Sequence, residues 1–266
     1  MTTTEFKRTV RAHYRKNGRK MPWRETRDPY RIVVSEIMLQ QTQVDRVRIK
    51  YETFIKRFPT WKKLADAPVD AVLREWQGLG YNRRALFLKR MAEVVVQTHK
   101  GILPSDPLIL KTLPGIGKAT ASAIAAYAFN VPTPFIETNI RSVYIHHFFP
   151  EKSGVRDEDL MPIISKTLDT KNPREWYWAL MDYGTFIKKT TPNPSRKSAH
   201  HAKKTKLKGS LREARGAVIK LLGRKKMTEK QLTRESGIED GRIELALGAL
   251  MREGFIHEVR RTYILG

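Results

Sequence analysis

Leu113-Pro114-Gly115-Ile116-Gly117-Lys118 is the stretch that decides the fold of this chain, and it lies between two segments with helical periodicity. Glycine at two positions permits a tight turn and lets the backbone approach a ligand closely. Residues 118–129 are predicted to form the next helix, and the unpaired N–H groups at its start suit a phosphate. The stretch therefore predicts a helix–hairpin–helix motif that holds one nucleic-acid backbone without reading its sequence. An ordinary helical hairpin would have the same local pattern.

The rest of the chain also has mainly helical patterns, separated by proline and glycine. Apolar residues recur at helical spacing over residues 30–38, 61–76, 83–96 and 118–129, with turn signals at 57–59, 78–80, 101–107 and 132–134. After Gly209, three short helices are predicted at 211–222, 228–235 and 240–252, followed by strands at 255–259 and 261–265. This order predicts an all-α protein with a small C-terminal winged-helix-like module. The third helix of such a module would approach DNA, although winged helices also bind proteins.

The chain is strongly basic. It has 51 Lys and Arg residues against 27 Asp and Glu residues, a formal net charge of +24. Such an excess favours a polyanionic partner, because each neutralised phosphate releases counterions. Anionic membranes and ribosomal RNA would fit the same charge, but no strongly amphipathic basic helix is evident. With no membrane-spanning apolar run and no secretory leader, we expect a nucleic-acid-binding protein in the cytoplasm, associated with the nucleoid.

Metal and cofactor chemistry is not indicated. The chain contains no cysteine, which excludes disulfides, thiolate zinc sites and iron–sulfur clusters. The histidine pairs 146–147 and 200–201 are adjacent in sequence, so their side chains point in different directions on a helix. Residues 188–208 are basic and lack acidic residues, which fits a solvated linker and a phosphate-contacting segment equally well.

Two glutamates are the candidates for catalysis. Glu36 lies on a helical segment and shares its side mainly with apolar residues, which should raise its pKa and make it a proton donor. Glu137 precedes a predicted helix at 140–147, where the helix dipole stabilises an ionised carboxylate. A surface glutamate and a plain helix cap are the alternative interpretations. A protonated and an ionised carboxyl group together would suit N-glycosidic cleavage.

The chain also combines Met21-Pro22-Trp23-Arg24, Pro29-Tyr30, Ser35-Glu36-Ile37-Met38-Leu39-Gln40-Gln41-Thr42-Gln43 and Gly78-Leu79-Gly80-Tyr81 with the hairpin. This combination resembles adenine DNA glycosylases of the MutY type, in the helix–hairpin–helix superfamily that includes endonuclease III. The resemblance extends from about Phe6 to Gly184. It implies a two-lobed glycosylase domain over residues 1–186 that grips DNA, with residues 1–20 and 127–186 forming the second lobe. Residues 187–209 would be a basic linker and 210–266 the winged-helix-like module.

The resemblance also implies roles for particular residues. Glu36 matches the acid that protonates the departing adenine, and Asn139 matches the asparagine that helps hold the catalytic carboxylate and the DNA. Gln41 and Tyr81 lie in segments that probe the duplex around the flipped base. The hairpin carbonyls bind a monovalent cation in the family. The residues predicted to contact DNA are Arg24, Gln40, Gln41, Tyr81, Leu113, Gly115, Gly117, Lys118 and Ala119.

Four departures from the family pattern bear on activity. Glu137 stands where the family has Asp, which shifts the carboxylate by about an ångström, and such a shift can cost ~100-fold in rate. Ala119 stands where strand-cleaving members have Lys, so no Schiff base is expected there. The cluster-binding cysteines are missing. The C-terminal module differs from the one that helps MutY enzymes recognise 8-oxoguanine.

The expected function is that of a monofunctional DNA glycosylase in base excision repair. Such an enzyme flips out a mispaired base, here adenine opposite 8-oxoguanine or guanine, and hydrolyses its N-glycosidic bond. Two alternatives stay open. One is a glycosylase for thymine or uracil opposite guanine, or for an alkylated purine. The other is a DNA-binding protein that kept the fold and lost the chemistry.

Overall fold

The computed structural model describes residues 1–201 and 206–266, and in these residues the protein is almost entirely helical, as predicted. No helix in the described part is both long and apolar enough to cross a membrane. Two short 3₁₀ helices lie at Pro22–Arg24 and Pro194–Lys197. The α-helices are α1 (Thr3–Asn17), α2 (Pro29–Leu39), α3 (Val44–Arg57), α4 (Trp61–Ala65), α5 (Val69–Trp76), α6 (Arg83–His99), α7 (Pro107–Leu110), α8 (Lys118–Phe129), α9 (Thr138–Phe148), α10 (Asp157–Thr167), α11 (Pro173–Thr190), α12 (Leu211–Leu222), α13 (Glu229–Ser236) and α14 (Asp240–Arg252).

The chain divides into two compact units. The first consists of Met1–Glu36 and Pro104–Lys203, and the second of Ile37–Leu103 and Lys204–Gly266. Each unit is therefore built from two separate parts of the sequence. The hairpin and helix α8 belong to the first unit, which is larger than the lobe of residues 1–20 and 127–186 that the sequence suggested.

The first unit is held together by an N-terminal helix that packs on the later part of the chain. Helix α1 begins with a capping box, in which Thr2 Oγ1 accepts from the Glu5 amide at 3.2 Å and the Glu5 carboxylate accepts from the Thr2 amide at 2.9 Å. Its buried face packs on α11, and the Phe6 ring lies 4.9 Å from that of Tyr144 and 6.1 Å from that of Trp176. The N-terminal helix thus packs on residues from the later part of the first unit.

The second unit contains helices α3–α6 together with the C-terminal module. The module has the predicted order of three helices and a hairpin, with strand β1 (Ile256–Val259) antiparallel to β2 (Thr262–Leu265). A further bridge pairs Met227 with Tyr263, which extends the hairpin by a third short segment. Thr228 begins α13 with a capping box, and Gly237 ends it in the left-handed conformation.

Two sequence-based boundaries differ from the structure. The pattern at 61–76 is two helices, because Pro68 cannot continue the first helix and instead precedes α5. The predicted linker starts later than residue 187, since α11 continues to Thr190 and the next residues fold back. There, the Val155 amide donates to the Lys197 carbonyl at 3.0 Å and the Ala199 amide to Val155 at 2.9 Å. Residues 202–205 of the predicted linker lie outside the described residues.

Candidate active site

Glu36 is placed by a helix whose other residues are mostly buried. Ile32, Val33, Ile37 and Met38 on α2 are 2 % exposed or less, so the helix is held firmly by its apolar surface. Part of the Glu36 side chain stays accessible to solvent. Burial of the carboxyl group nevertheless raises its pKa to about 8, with the negative charge of Glu137 adding to the shift and Arg24 opposing it. A carboxyl group with this pKa holds its proton at neutral pH, which is what the role of a proton donor requires.

Glu137 caps the N-terminus of α9. One carboxylate oxygen, Oε1, accepts from the backbone amides of Asn139 at 2.5 Å and Ile140 at 2.8 Å, and Oε2 accepts from Asn139 Nδ2 at 3.2 Å. Burial raises the pKa of Glu137, while the Ile140 amide, Lys188, the Asn139 amide and Arg141 oppose that shift. Glu137 can therefore both cap the helix and act in catalysis, because the backbone amides at the start of α9 also favour the ionised form of its carboxyl group.

The structure brings Glu36, Glu137 and Asn139 together in the first unit. The negative charge of Glu137 raises the pKa of Glu36, so the two carboxyl groups are electrostatically coupled. Asn139 touches Glu137 through both its backbone and its side chain, and its Nδ2 also lies 3.8 Å from Met181 Sδ. This arrangement provides an acid and an anion in one partly enclosed place.

Arg24 does not have the free position that the sequence suggested for a DNA contact. Its guanidinium donates to both carboxylate oxygens of Asp182, at 2.8 and 2.9 Å, and its side chain is only 8 % exposed. Arg19 also binds Asp182 with its backbone amide and side chain. Because bidentate pairing occupies the guanidinium, Arg24 joins the N-terminal segment to α11 and acts on Glu36 only through its charge.

Two further residues near the carboxyl groups were missed in the sequence. Tyr127 is buried on α8, and its ring stacks on that of Trp178 at 6.2 Å. Burial and the charges of Glu36 and Glu137 hold the pKa of Tyr127 well above its usual value, so its phenol stays neutral. Burial lowers the pKa of Lys188, and the charge of Glu137 opposes this shift. The sequence signal for Tyr127 was that it is a single tyrosine among the alanines of α8.

The hairpin has the geometry that its glycines predict. Gly115 has φ = 78°, and Gly117 begins α8 without a side-chain cap. The residues Gly115, Gly117, Lys118 and Ala119 are exposed. Leu113 differs from the prediction, since its side chain is buried with that of Ile116 and anchors the turn from inside. The exposed backbone at the start of α8 can therefore accept a phosphate.

In the second unit, Gln40, Gln41 and Tyr81 are brought together by Arg84, a buried residue that the sequence did not reveal. Its Nη1 donates to the carbonyl oxygens of Ile37, Met38 and Gln40 at 2.6–2.8 Å, and its Nη2 to those of Leu79 and Gly80 at 3.3 and 3.0 Å. Burial lowers the pKa of Arg84 to about 10, so it stays charged at neutral pH.

The loops that Arg84 ties together present two side chains in an uncommon backbone conformation. Gln41 has φ = 55° and Tyr81 has φ = 48°, and both are exposed. Non-glycine residues in the left-handed region persist only where the surroundings impose it. Here Arg84 imposes it with hydrogen bonds to both loops, and its guanidinium also lies 5.6 Å from the Tyr81 ring centroid.

Comparison with known proteins agrees with this geometry. The family model described as HhH-GPD superfamily base excision DNA repair protein matches residues 34–166, half of the chain. The adenine DNA glycosylase of Buchnera aphidicola subsp. Baizongia pistaciae is 38 % identical over 192 residues, which cover 70 % of this chain and 54 % of that protein. The chain thus matches about half the length of this relative.

A second group of similar proteins is matched over more of its length. The thymine/uracil-DNA glycosylase of Pyrobaculum aerophilum is 32 % identical over 193 residues, which cover 69 % of this chain and 83 % of that protein. The solved structure of a thermostable thymine-DNA glycosylase is similar with a TM-score of 0.62 and 25 % identity, over 70 % of this chain and 87 % of that one.

Proposed function

Because the chain belongs to the HhH-GPD superfamily of base excision DNA repair proteins, we propose that it is a monofunctional DNA glycosylase acting on mispaired adenine. The substrate would be double-stranded DNA with adenine opposite 8-oxoguanine or guanine. The protein would act as a monomer on chromosomal DNA in the cytoplasm. The observation that carries this proposal is the pair of carboxyl groups in unlike settings: the pKa of Glu36 is raised to about 8, whereas Glu137 accepts hydrogen bonds from two backbone amides at the N-terminus of α9.

The proposed reaction divides the work between these two groups. Glu36 gives its proton to a ring nitrogen of the flipped base while the bond between that base and C1′ of the sugar breaks. Glu137 stabilises the positive charge that develops on the sugar, since a fixed anion is most effective where charge appears in the transition state. Water then adds to C1′, and the proton that it releases goes to the carboxylate of Glu36 or Glu137. Burial and the charges of both groups raise the pKa of Tyr127, so its phenol would add a neutral dipole and no competing charge.

The DNA would be held at two kinds of contact. The exposed amides of the hairpin and Lys118 would bind a phosphate, while Gln41 and Tyr81 would probe the stack around the extruded base. The carbonyl oxygens of the Leu113–Ile116 turn would hold a monovalent cation, because carbonyl dipoles are suitable ligands for such ions. Residues 188–201 would add phosphate contacts or remain a basic surface.

We also propose that the enzyme does not cut the strand. Strand cleavage by a glycosylase requires an amine that attacks C1′ and forms a Schiff base. Ala119, the second residue of α8, has no such group. The expected product is an intact strand with an abasic site, which breaks only after treatment with alkali.

A second candidate function keeps the mechanism and changes the base. The thymine/uracil-DNA glycosylase relative is matched over 83 % of its length, against 54 % for the adenine-specific relative. A site with Ala119 and Glu137 in place of the MutY residues would also be compatible with thymine or uracil opposite guanine.

The experiment is a measurement of base release from a panel of duplexes. They carry adenine opposite 8-oxoguanine, adenine opposite guanine, thymine or uracil opposite guanine, and alkylated purines. Strand breaks appearing only after alkali on an adenine mispair would support the first proposal, and release from another duplex would support the second. In the Glu36→Gln variant, release should vanish while DNA binding stays. DNA binding without release from any duplex would contradict both and leave a non-catalytic DNA-binding protein.

A further inference from the structure

Glu253, at the end of α14 in the C-terminal module, is bound by two arginines from different parts of the second unit. Arg215 on α12 of the same module donates to both carboxylate oxygens at 2.7 Å. Arg83, the first residue of α6, donates to the same two oxygens at 2.6 and 3.1 Å. The two arginines lower the pKa of Glu253 to about 2. A carboxylate shared in this way joins the module to the N-terminus of α6.

A second connection joins the module to the C-terminal end of α5. Arg74 Nη1 donates to the Gly223 carbonyl oxygen at 2.8 Å. The Gln77 side chain lies directly over Gly223, where a Cβ would be 2.0 Å from Gln77 Nε2. A side chain at position 223 would have to displace the end of the Gln77 side chain, so the turn after α12 fits closely against the end of α5.

These two connections stand on either side of one loop. We call residues 77–82 the probe loop, because they connect α5 with α6 and include Tyr81. Gly78, Gly80 and Tyr81 all have positive φ, at 93°, 72° and 48°. Positive φ is unstrained for the two glycines, whereas Tyr81 keeps this conformation only where its surroundings impose it. Arg74 and Gln77 fix one end to the module, and Arg83 fixes the other.

The acidic residues at the start of α14 argue against a phosphate contact by this end of the third helix of the module. The exposed side chains at the start of α14 include Glu239, Asp240 and Glu244, with the apolar Leu245 beside them. Acidic residues on this face would repel phosphates rather than release counterions from them. The residues at the start of α14 therefore favour a role other than phosphate binding, and the approach of the third helix to DNA stays a prediction.

We propose that the C-terminal module is a brace that fixes the probe loop, with Glu253 and Arg83 as positioning residues for Tyr81. The module would thus improve discrimination between mispaired and paired DNA without contacting the base. This inference rests on the proposed function for the role of Tyr81, whereas the brace itself is a property of the folded chain.

The test uses the full chain with Arg83→Gln, which removes the connection to α6 and leaves the Arg215–Glu253 pair of the module. Amide hydrogens in residues 77–82 should exchange about 5- to 30-fold faster. The ratio of base release from mispaired and paired duplexes should fall, mainly because KM for the mispaired duplex rises. The saturated rate on the preferred mispair should stay close to that of the unmodified protein. Arg83→Lys keeps a charged donor, so its exchange rates and its discrimination should stay close to those of the unmodified protein.

Glu235→Gln is the matched control, since it removes the Lys225–Glu235 ion pair of 3.2 Å within the module. It should leave exchange in the probe loop unchanged. Unchanged exchange in Arg83→Gln, or equally faster exchange in Glu235→Gln, would overturn the brace. If the unmodified protein released no base at all, the proposed function would fail, but the exchange measurement would still decide whether the module fixes the loop.

Discussion

Gly184 on α11 lies so close to Asn139 on α9 that a Cβ at position 184 would be 2.4 Å from the Asn139 carbonyl oxygen. Asn139 in turn binds Glu137 through its backbone amide and its side chain. The glycine at the end of Met181-Asp182-Tyr183-Gly184 thus allows α11 to support the N-terminus of α9. The aspartate in the same stretch binds Arg24, so this stretch connects to the candidate site on two sides.

Gly184→Ala should therefore lower the rate of base release strongly while it lowers the free energy of unfolding only slightly. Alanine in a helix interior gains about 0.5–1 kcal/mol over glycine, but forcing a methyl group against fixed backbone costs about 1–3 kcal/mol. A small net loss in the free energy of unfolding is expected. Displacement of Asn139 and Glu137 by a fraction of an ångström should lower the rate at least ~10-fold. Denaturant unfolding and single-turnover base release measure the two effects.

Gly216→Ala is the control for this prediction. Gly216 is inside α12, and a Cβ there would have nothing within 4 Å. The substitution should raise the free energy of unfolding by about 0.5–1 kcal/mol and leave base release unchanged. If Gly184→Ala behaved like Gly216→Ala in both measurements, close packing would not be what supports the N-terminus of α9.

Base release should depend on pH with a bell-shaped profile. Glu36 must be protonated to act as the acid, and its pKa is raised to about 8, so the rate should fall as the pH rises through about 8. Glu137 must be ionised, and burial raises its pKa, so the acidic limb should lie above the ordinary range of a glutamate. Single-turnover rates with DNA binding measured at each pH would check this. An alkaline limb near the ordinary glutamate pKa would argue against Glu36 as the acid.

Much of the fold and the catalytic pair could be predicted because they depend on local patterns. Helix α8 and its hairpin follow from glycine spacing and apolar periodicity, and Glu36 follows from one carboxyl group on an apolar face. Arg84 and Arg24 could not be predicted in the same way. In the sequence each looks like one more basic residue of a basic chain, and only the folded chain brings Asp182 to one and the ends of two loops to the other. The brace at Glu253 depends on a contact between residues 170 positions apart.

Arg84→Lys should destabilise the protein although the charge is kept. Lysine cannot reproduce the fork that serves the carbonyl oxygens of two loops, and each buried polar group left unpaired costs about 1–3 kcal/mol. The free energy of unfolding should fall by at least that amount, and the affinity for mispaired DNA should fall because Gln41 and Tyr81 lose their fixed positions. The neighbouring Arg83→Lys, at an exposed side chain, should change stability by less than about 1 kcal/mol. Equal effects at both positions would show that Arg84 is not what organises the loops.

Glu137→Asp should separate the cap from the catalytic role, because aspartate is also a favoured N-cap residue. Helix α9 should keep its cap and the free energy of unfolding should change little, whereas Glu137→Ala should lose about 0.5–2 kcal/mol. The shorter side chain withdraws the carboxylate by about an ångström from a place where Oε2 now meets Asn139 Nδ2, and the rate of base release should fall ~10- to 100-fold. Single-turnover rates and thermal unfolding of the three proteins measure both effects. Faster base release by Glu137→Asp would contradict this prediction. It would mean that the surrounding residues place an aspartate carboxylate better than they place that of Glu137.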